Sequence, residues 1–296
     1  MEILWLGEPD CHNRLLVGGK VANLSRLAAS YRVPSGFCLT TVALQKAITA
    51  GFVLEENAPQ PQTLPDIIDG KLATAYQTLA DRCSVVSPSV AVRSSAVDED
   101  GTSASFAGQY ETYLNIIGVN AIAEAVMRCW GTVRSARVLD YRRQQGLERN
   151  GTQLAVLVQQ LVMADVSAVV FSANPVSGNP DEVVINASWG LGESIVGGTV
   201  TPDTYVIHKA DLSVASRQIA EKGRMTVAVD GGTQEVGVPR FLRTQPSISD
   251  DHAAEMAQLA LKLETEMGWP VDIECAYHAG DLYLLQCRPI TTLQQS

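Results

Sequence analysis

Four side chains near the end of the chain are spaced for work on a phosphate and its metal. In VDIECAYH (271–278) the alternation of a strand puts Asp272 and Glu274 on one face and Val271, Ile273 and Cys275 on the other. In LYLLQCR (282–288) the same alternation puts Gln286 and Arg288 together, on a face shared with Leu282 and Leu284. A hairpin turning through three residues, Ala279-Gly280-Asp281, sets Glu274 opposite Gln286 and Asp272 opposite Arg288. A two-residue turn would place those pairs on opposite faces. Carboxylate and amide oxygens are hard ligands that suit Mg²⁺, which takes few protein ligands alongside nucleotide phosphates. A nearby guanidinium reaches phosphate oxygens with its fork of donors. The competing reading is a structural salt bridge on a solvated sheet face.

Two earlier stretches offer cations. In AVRSSAVDEDGTSASFAGQYETYLNI (91–116) Arg93 ends a short apolar run, and small residues follow over 101–108. Such residues let backbone N–H groups approach a ligand closely. The acids Asp98, Glu99 and Asp100 suit a phosphate site only with Mg²⁺ nearby, or if they face water. In VGGKVANL (17–24) Lys20 follows a glycine pair at an expected helix start, where N–H groups and an ammonium favour an anion. The spacing is not that of a P-loop, and a solvated loop lysine is the plainer alternative. SWGLGESIVGGTVTPD (188–203) is a second glycine-rich stretch, with Glu193 inside it.

The elements that must hold these residues form a mixed chain. GKVANLSRLAAS has helical spacing in Val21, Leu24 and Leu27. VPSGFCLTT reads as a turn and a short strand, and the three prolines of 56–65 mark a loop. A helix with Ile68, Leu72, Ala75, Tyr76 and Leu79 on one face comes next, then the strand that ends at Arg93. A long helix is expected from about Ala121 to Arg143. QLAVLVQQLV, SAVVFSANP and EVVINAS read as strands. Ser249 caps a helix with the stripe Met256, Leu259, Leu263 and Met267. No internal repeat is visible.

The chain has 296 residues, enough for two domains or one domain of two lobes. The net charge of −10 argues against a nucleic-acid partner, since phosphate backbones are held by clustered Lys and Arg. Six cysteines, at 11, 38, 83, 129, 275 and 287, form no C-x-x-C pair, so a reducing cytoplasm is expected. No uninterrupted apolar run reaches membrane-spanning length, and no signal peptide is visible.

Taken in order, LVGGKVANLSRL, VPSGFCLTT, the 91–116 stretch, ANPVSGNPDEVVINASWGLGESIVGGTVTPDTYVI and VDIECAYHAGDLYLLQCRPITT resemble one family. It is the N-terminal ATP-binding domain of the pyruvate phosphate dikinase, phosphoenolpyruvate synthase and rifampin phosphotransferase family. The resemblance implies an α+β, two-lobed, ATP-grasp-like fold. An N-terminal lobe would span 1–158 and a C-terminal lobe 159–296. Lys20 and Arg93 would contact the phosphates of ATP. The loop of Thr102, Ser105 and Gly108 would cover them, and Gln159 or Gln160 would lie at the adenine hinge. Glu274 and Gln286 would coordinate Mg²⁺ with Asp272 nearby, and Arg288 would hold the transferred phosphate. Glu193 is a weaker candidate. Members transfer the β-phosphoryl group of ATP to a histidine, so Lys20, Arg93 and Arg288 carry the catalytic expectation.

The same resemblance exposes a gap. The family's histidine lies in a separate swivelling domain, and His12, His208, His252 and His278 all fall outside the matched motifs. Either a partner protein or domain supplies the histidine, or the chain phosphorylates a small molecule directly as a stand-alone kinase. A nucleotide-binding module without chemistry is a third class. Val21 stands where the family usually has Gly.

Overall fold

A computed structural model describes residues 1–54, 63–98, 111–135, 138, 140 and 153–291. The described chain divides into two compact units. One comprises Met1–Leu161 with Asp230–Gly232, the other Val162–Val229 with the chain from Thr233 onward.

The first unit is built on a five-stranded sheet in the order β1-β2-β5-β3-β4. Its strands are β1 (Ile3–Trp5), β2 (Gly36–Leu39), β3 (Val90–Ala96), β4 (Thr112–Ile116) and β5 (Leu154–Gln160). Every pairing in it is antiparallel. Alternation gives the sheet two different faces. Val90, Val92, Ala96, Leu154, Val156 and Val158 enter one core with α2 (Thr41–Thr49), α3 (Asp66–Cys83) and α4 (Val119–Gly131). Removing such aliphatic side chains from water stabilises by about 1.5–3 kcal/mol each. Trp130 is fully buried there, edge-on to Phe52 at 5.5 Å between ring centroids. Arg93 and Ser95 alternate with Val92 and Ser94, and so lie on the opposite face. Helix α1 (Arg14–Leu27) packs against this unit, held to β3 by hydrogen bonds described below.

The spacing predicts one helix from about Ala121 to Arg143; α4 itself ends at Gly131, and the described residues Val138 and Asp140 are again helical. A 3-10 turn, Thr132–Arg134, follows α4. Most of 136–152 lies outside the described residues.

The second unit is a six-stranded sheet in the order β13-β12-β6-β7-β8-β9. Its strands are β6 (Val166–Phe171), β7 (Glu182–Trp189), β8 (Asp203–His208), β9 (Val214–Gln218), β12 (Val271–His278) and β13 (Asp281–Pro289). A separate hairpin joins β10 (Arg224–Val229) to β11 (Gly232–Gly237). A short helix, α5 (Glu193–Val196), follows the GLG turn, and α6 (Asp250–Met267) is the long one. Ser249 caps α6 by accepting the N–H of His252. The buried stripe of α6 is Ala253, Met256, Ala257, Ala260 and Leu263. Leu259 and Met267, expected in that stripe, are only half-buried. On the sheet, Val170, Ile185, Tyr205, Ile207, Ile273 and Cys275 are buried.

Asp203 and Lys222 form a fully buried ion pair, 2.5 Å apart, at the start of β8. Asp203 also accepts from the backbone N–H groups of Ala220 and Ser247 and from the Ser247 hydroxyl. With all those acceptor positions used, a charge in the interior is tolerated.

All six cysteines are free; five are buried and Cys83 is half-buried. Among the described residues no helix is long and apolar enough to cross a membrane.

Candidate nucleotide and metal site

The hairpin β12–β13 carries Asp272, Glu274, Gln286 and Arg288. Asp272 lies opposite Arg288 and Glu274 opposite Gln286, as expected. The route to that register differs from the expected one. The turn has two residues, Ala279 and Gly280, because His278 pairs with Asp281. Both turn residues have positive φ, 52° and 87°, as a type I′ turn requires. A regular ladder from this turn would set Glu274 against Leu285. Instead the register shifts between Glu274 and Cys275, leaving Leu285 as the extra residue of a β-bulge.

The bulge also corrects the expected faces. Leu282 and Leu284 lie opposite Tyr277 and Cys275 and so belong to the α6 side of the sheet. Gln286 and Arg288 belong to the other side. Apolar Leu284 and polar Gln286 thereby each reach their own side of the sheet, which unbroken alternation from a two-residue turn cannot provide.

On that second side the hairpin is wired from within. Arg288 Nε donates to Asp272 Oδ2 at 2.9 Å. Asp272 is 6% exposed and Gln286 7%, while Glu274 and Arg288 are half-buried. The salt bridge and the metal-suited pair therefore coexist on one face. Burial pushes the neighbouring Cys275 thiol up to about 12, and the Glu274 charge adds to that shift. The cross-strand ladder continues on the same face. Val169 lies next to Glu274, Asn186 next to Val169, and Thr204 next to Asn186. Thr204 Oγ1 donates to Asn186 Oδ1 at 3.0 Å. Asn186 was not among the expected residues. Two-residue periodicity in EVVINAS, once β7 is registered against β6, marks its face.

Lys20 and Arg93 both belong to the first unit. Helix α1 is kinked rather than continuous: Gly18 has φ 77° and ψ 170°, so helical geometry restarts after it and puts Lys20 in the first turn. A side chain at Gly18 is excluded, because a Cβ there would fall well inside van der Waals contact with the Ser95 carbonyl oxygen. Arg93 stands two residues before Ser95 on β3, and both Lys20 and Arg93 are half-buried. Burial raises the Cys129 thiol to about 12; the Ser94 hydroxyl and the Lys20 ammonium pull it the other way.

Gln159 and Gln160 end β5 and point to opposite faces. Gln159 pairs with Ala91 and shares the Arg93 side of the sheet. It is buried, and its Nε2 donates to the Pro34 carbonyl at 3.2 Å. Gln160 is half-buried and its backbone N–H donates to the Ser35 carbonyl at 2.8 Å. Glu193 is exposed in α5 and accepts from the Thr233 hydroxyl at 2.8 Å. Thr102, Ser105 and Gly108 lie outside the described residues. Lys20, Arg93, Gln159 and Gln160 thus belong to the first unit, and Glu193, Asp272, Glu274, Gln286 and Arg288 to the second.

Comparison with known proteins matches residues 58–296 to the family described as "Pyruvate phosphate dikinase, AMP/ATP-binding domain". "Probable phosphoenolpyruvate synthase" of Methanocaldococcus jannaschii is 37% identical over 319 residues, covering 99% of this chain and 27% of that protein. "Phosphoenolpyruvate synthase" of Pyrococcus furiosus is 34% identical, covering 99% of this chain and 44% of that protein. "Rifampicin phosphotransferase" of Streptomyces sviceus is 35% identical, covering 98% of this chain and 36% of that protein. The chain therefore spans between about a quarter and a half of the length of these relatives. On this match the chain belongs to the family of pyruvate phosphate dikinase AMP/ATP-binding domains.

Proposed function

We propose that the chain is the ATP-binding part of a phosphotransferase, that Lys20 and Arg93 act on the phosphates of ATP, and that Glu274 and Gln286 hold Mg²⁺. The arrangement would be that of an ATP-grasp enzyme. The observation that carries this reading is the bulged hairpin register, which sets Glu274 against Gln286 beside the Asp272–Arg288 pair. These oxygen donors fit Mg²⁺, a hard ion that keeps positions for phosphate and water. When bound, Mg²⁺ neutralises phosphate charge.

The chain's own residues supply the rest. Lys20 and Arg93 bind and orient the phosphates, and Arg288 takes the charge of the group being transferred. Asp272 holds the Arg288 guanidinium in a fixed direction. Gln159, on the Arg93 side of the sheet, lies beside adenine; Gln160 faces the other way. Phosphoryl transfer depends mostly on positioning and charge neutralisation, so this domain needs no nucleophile.

The acceptor in this proposal is a histidine on a partner domain or protein, as the family resemblance implies. The second reading is a kinase acting directly on a small molecule. Product analysis separates them. AMP and phosphate formed only with an added histidine-bearing partner support the first. Turnover with a small acceptor alone supports the second, and tight nucleotide binding without turnover under either condition contradicts both.

A further inference from the structure

We infer that Ser95 is a positioning residue for Lys20, a buried hydroxyl that fixes where the ammonium stands along the strand of Arg93. The inference rests on the reading of Lys20 as a phosphate contact. Because α1 leaves helical geometry at Gly18, the segment beyond it begins a new first turn, whose N–H groups lack acceptors within the helix. The Val21 N–H finds one in Ser95 Oγ at 3.3 Å, across 74 residues of sequence. Ser95 is fully buried. It therefore caps a helical turn from a neighbouring strand, a role usually taken by the residue just before the helix.

The other side of Ser95 is gripped as well. A Cβ on Gly18 would collide with Ser95 Oγ, so only glycine lets the two segments approach this closely. Lys20 is thus bracketed in sequence by Gly18 and Val21, and both touch the same serine. A third contact fixes the slide of the helix: Arg14 Nε donates to the Val97 carbonyl at 2.9 Å. Contacts from residues 14, 18 and 21 to residues 97 and 95 set both the rotation and the translation of the turn that carries Lys20. A long flexible lysine restrained only at its tip would bind phosphate less well, because its ordering would have to occur on binding.

The test is a double-mutant cycle on the whole chain, read as affinity for Mg–ATP and for adenosine. Ser95→Ala is expected to weaken Mg–ATP binding about three- to tenfold, the range for one lost hydrogen bond. Adenosine binding should stay unchanged. In the Lys20→Ala background, Ser95→Ala should cause no further loss. Thermal melting checks that each variant is folded. If Ser95→Ala does not fold, Ser95→Cys keeps the volume with a poor acceptor and carries the same expectation. Unchanged Mg–ATP affinity, equal weakening of both ligands, or losses that add independently of Lys20 would overturn the inference while leaving the phosphate role of Lys20 standing. Unchanged affinity in Lys20→Ala itself would overturn both.

Discussion

Arg288 meets two demands with one guanidinium. Its Nε is committed to Asp272, and the rest of its fork carries N–H donors of the kind that a phosphate takes. Removing it therefore has two consequences. Arg288→Ala leaves the largely buried Asp272 carboxylate without that donor, which should cost about 1–3 kcal/mol of folding stability in denaturant titration. It should also cost about 2–5 kcal/mol in transition-state stabilisation, read from kcat/KM. A loss of turnover below tenfold would reduce Arg288 to a structural partner of Asp272. Glu274→Ala makes a narrower prediction. Nucleotide affinity measured with and without Mg²⁺ should become the same, while the melting temperature changes little. Persistent metal dependence would remove Glu274 from the metal site.

At the scale of elements, the hairpin shows what a sequence reveals and what it conceals. The sequence reaches the pairings Glu274–Gln286 and Asp272–Arg288 only through a three-residue turn, while the real two-residue turn, the compensating bulge and the faces of Leu282 and Leu284 are not legible in it. A bulge changes the register by one residue without any special residue type to announce it, and Leu285 is an ordinary leucine. The turn itself yields a test. Ala279 has φ 52°, a conformation that costs an alanine about 1 kcal/mol or more. Ala279→Asn should raise stability by about 1 kcal/mol in denaturant titration and leave Mg²⁺ dependence unchanged. The kink at Gly18 is legible as a glycine pair before Lys20, although its partner Ser95 is not, since nothing local links residues so far apart. Strand β9 is short and mostly exposed, so it lacks the apolar alternation that marks a half-buried strand. Between β10 and β11 the signal is instead a turn dipeptide, Asp230-Gly231, followed by a strand with little apolar content to betray it.

Another element-scale prediction concerns the edge strand β1. The Glu2 carboxylate, just before it, binds Lys46 of α2 and Lys71 of α3, the latter at 2.6 Å. These partners hold its pKa at about 2, against an ordinary 4.5. A carboxyl lowered on folding adds stability that is fully present above its unfolded value and disappears as pH falls toward the folded one. Between pH 4.5 and about 2, stability should therefore fall more steeply in the native chain than in Glu2→Gln. Parallel acid-unfolding profiles for the two would contradict the assignment.

For the whole molecule, the proposal comes to one claim: Lys20 and Arg93 act on the phosphates of ATP, and Glu274 and Gln286 hold its Mg²⁺. A net charge of −10 makes that demand sharper, because an acidic chain must bring its few cations to the phosphates locally. The most direct measurement is an experimental structure with Mg²⁺ and a non-hydrolysable ATP analogue. The account predicts oxygens of Glu274 and Gln286 on the metal at about 2.1 Å, with Lys20 and Arg93 in hydrogen-bond contact with phosphates of the same nucleotide. A bound nucleotide that touches only one of the two sets would contradict it.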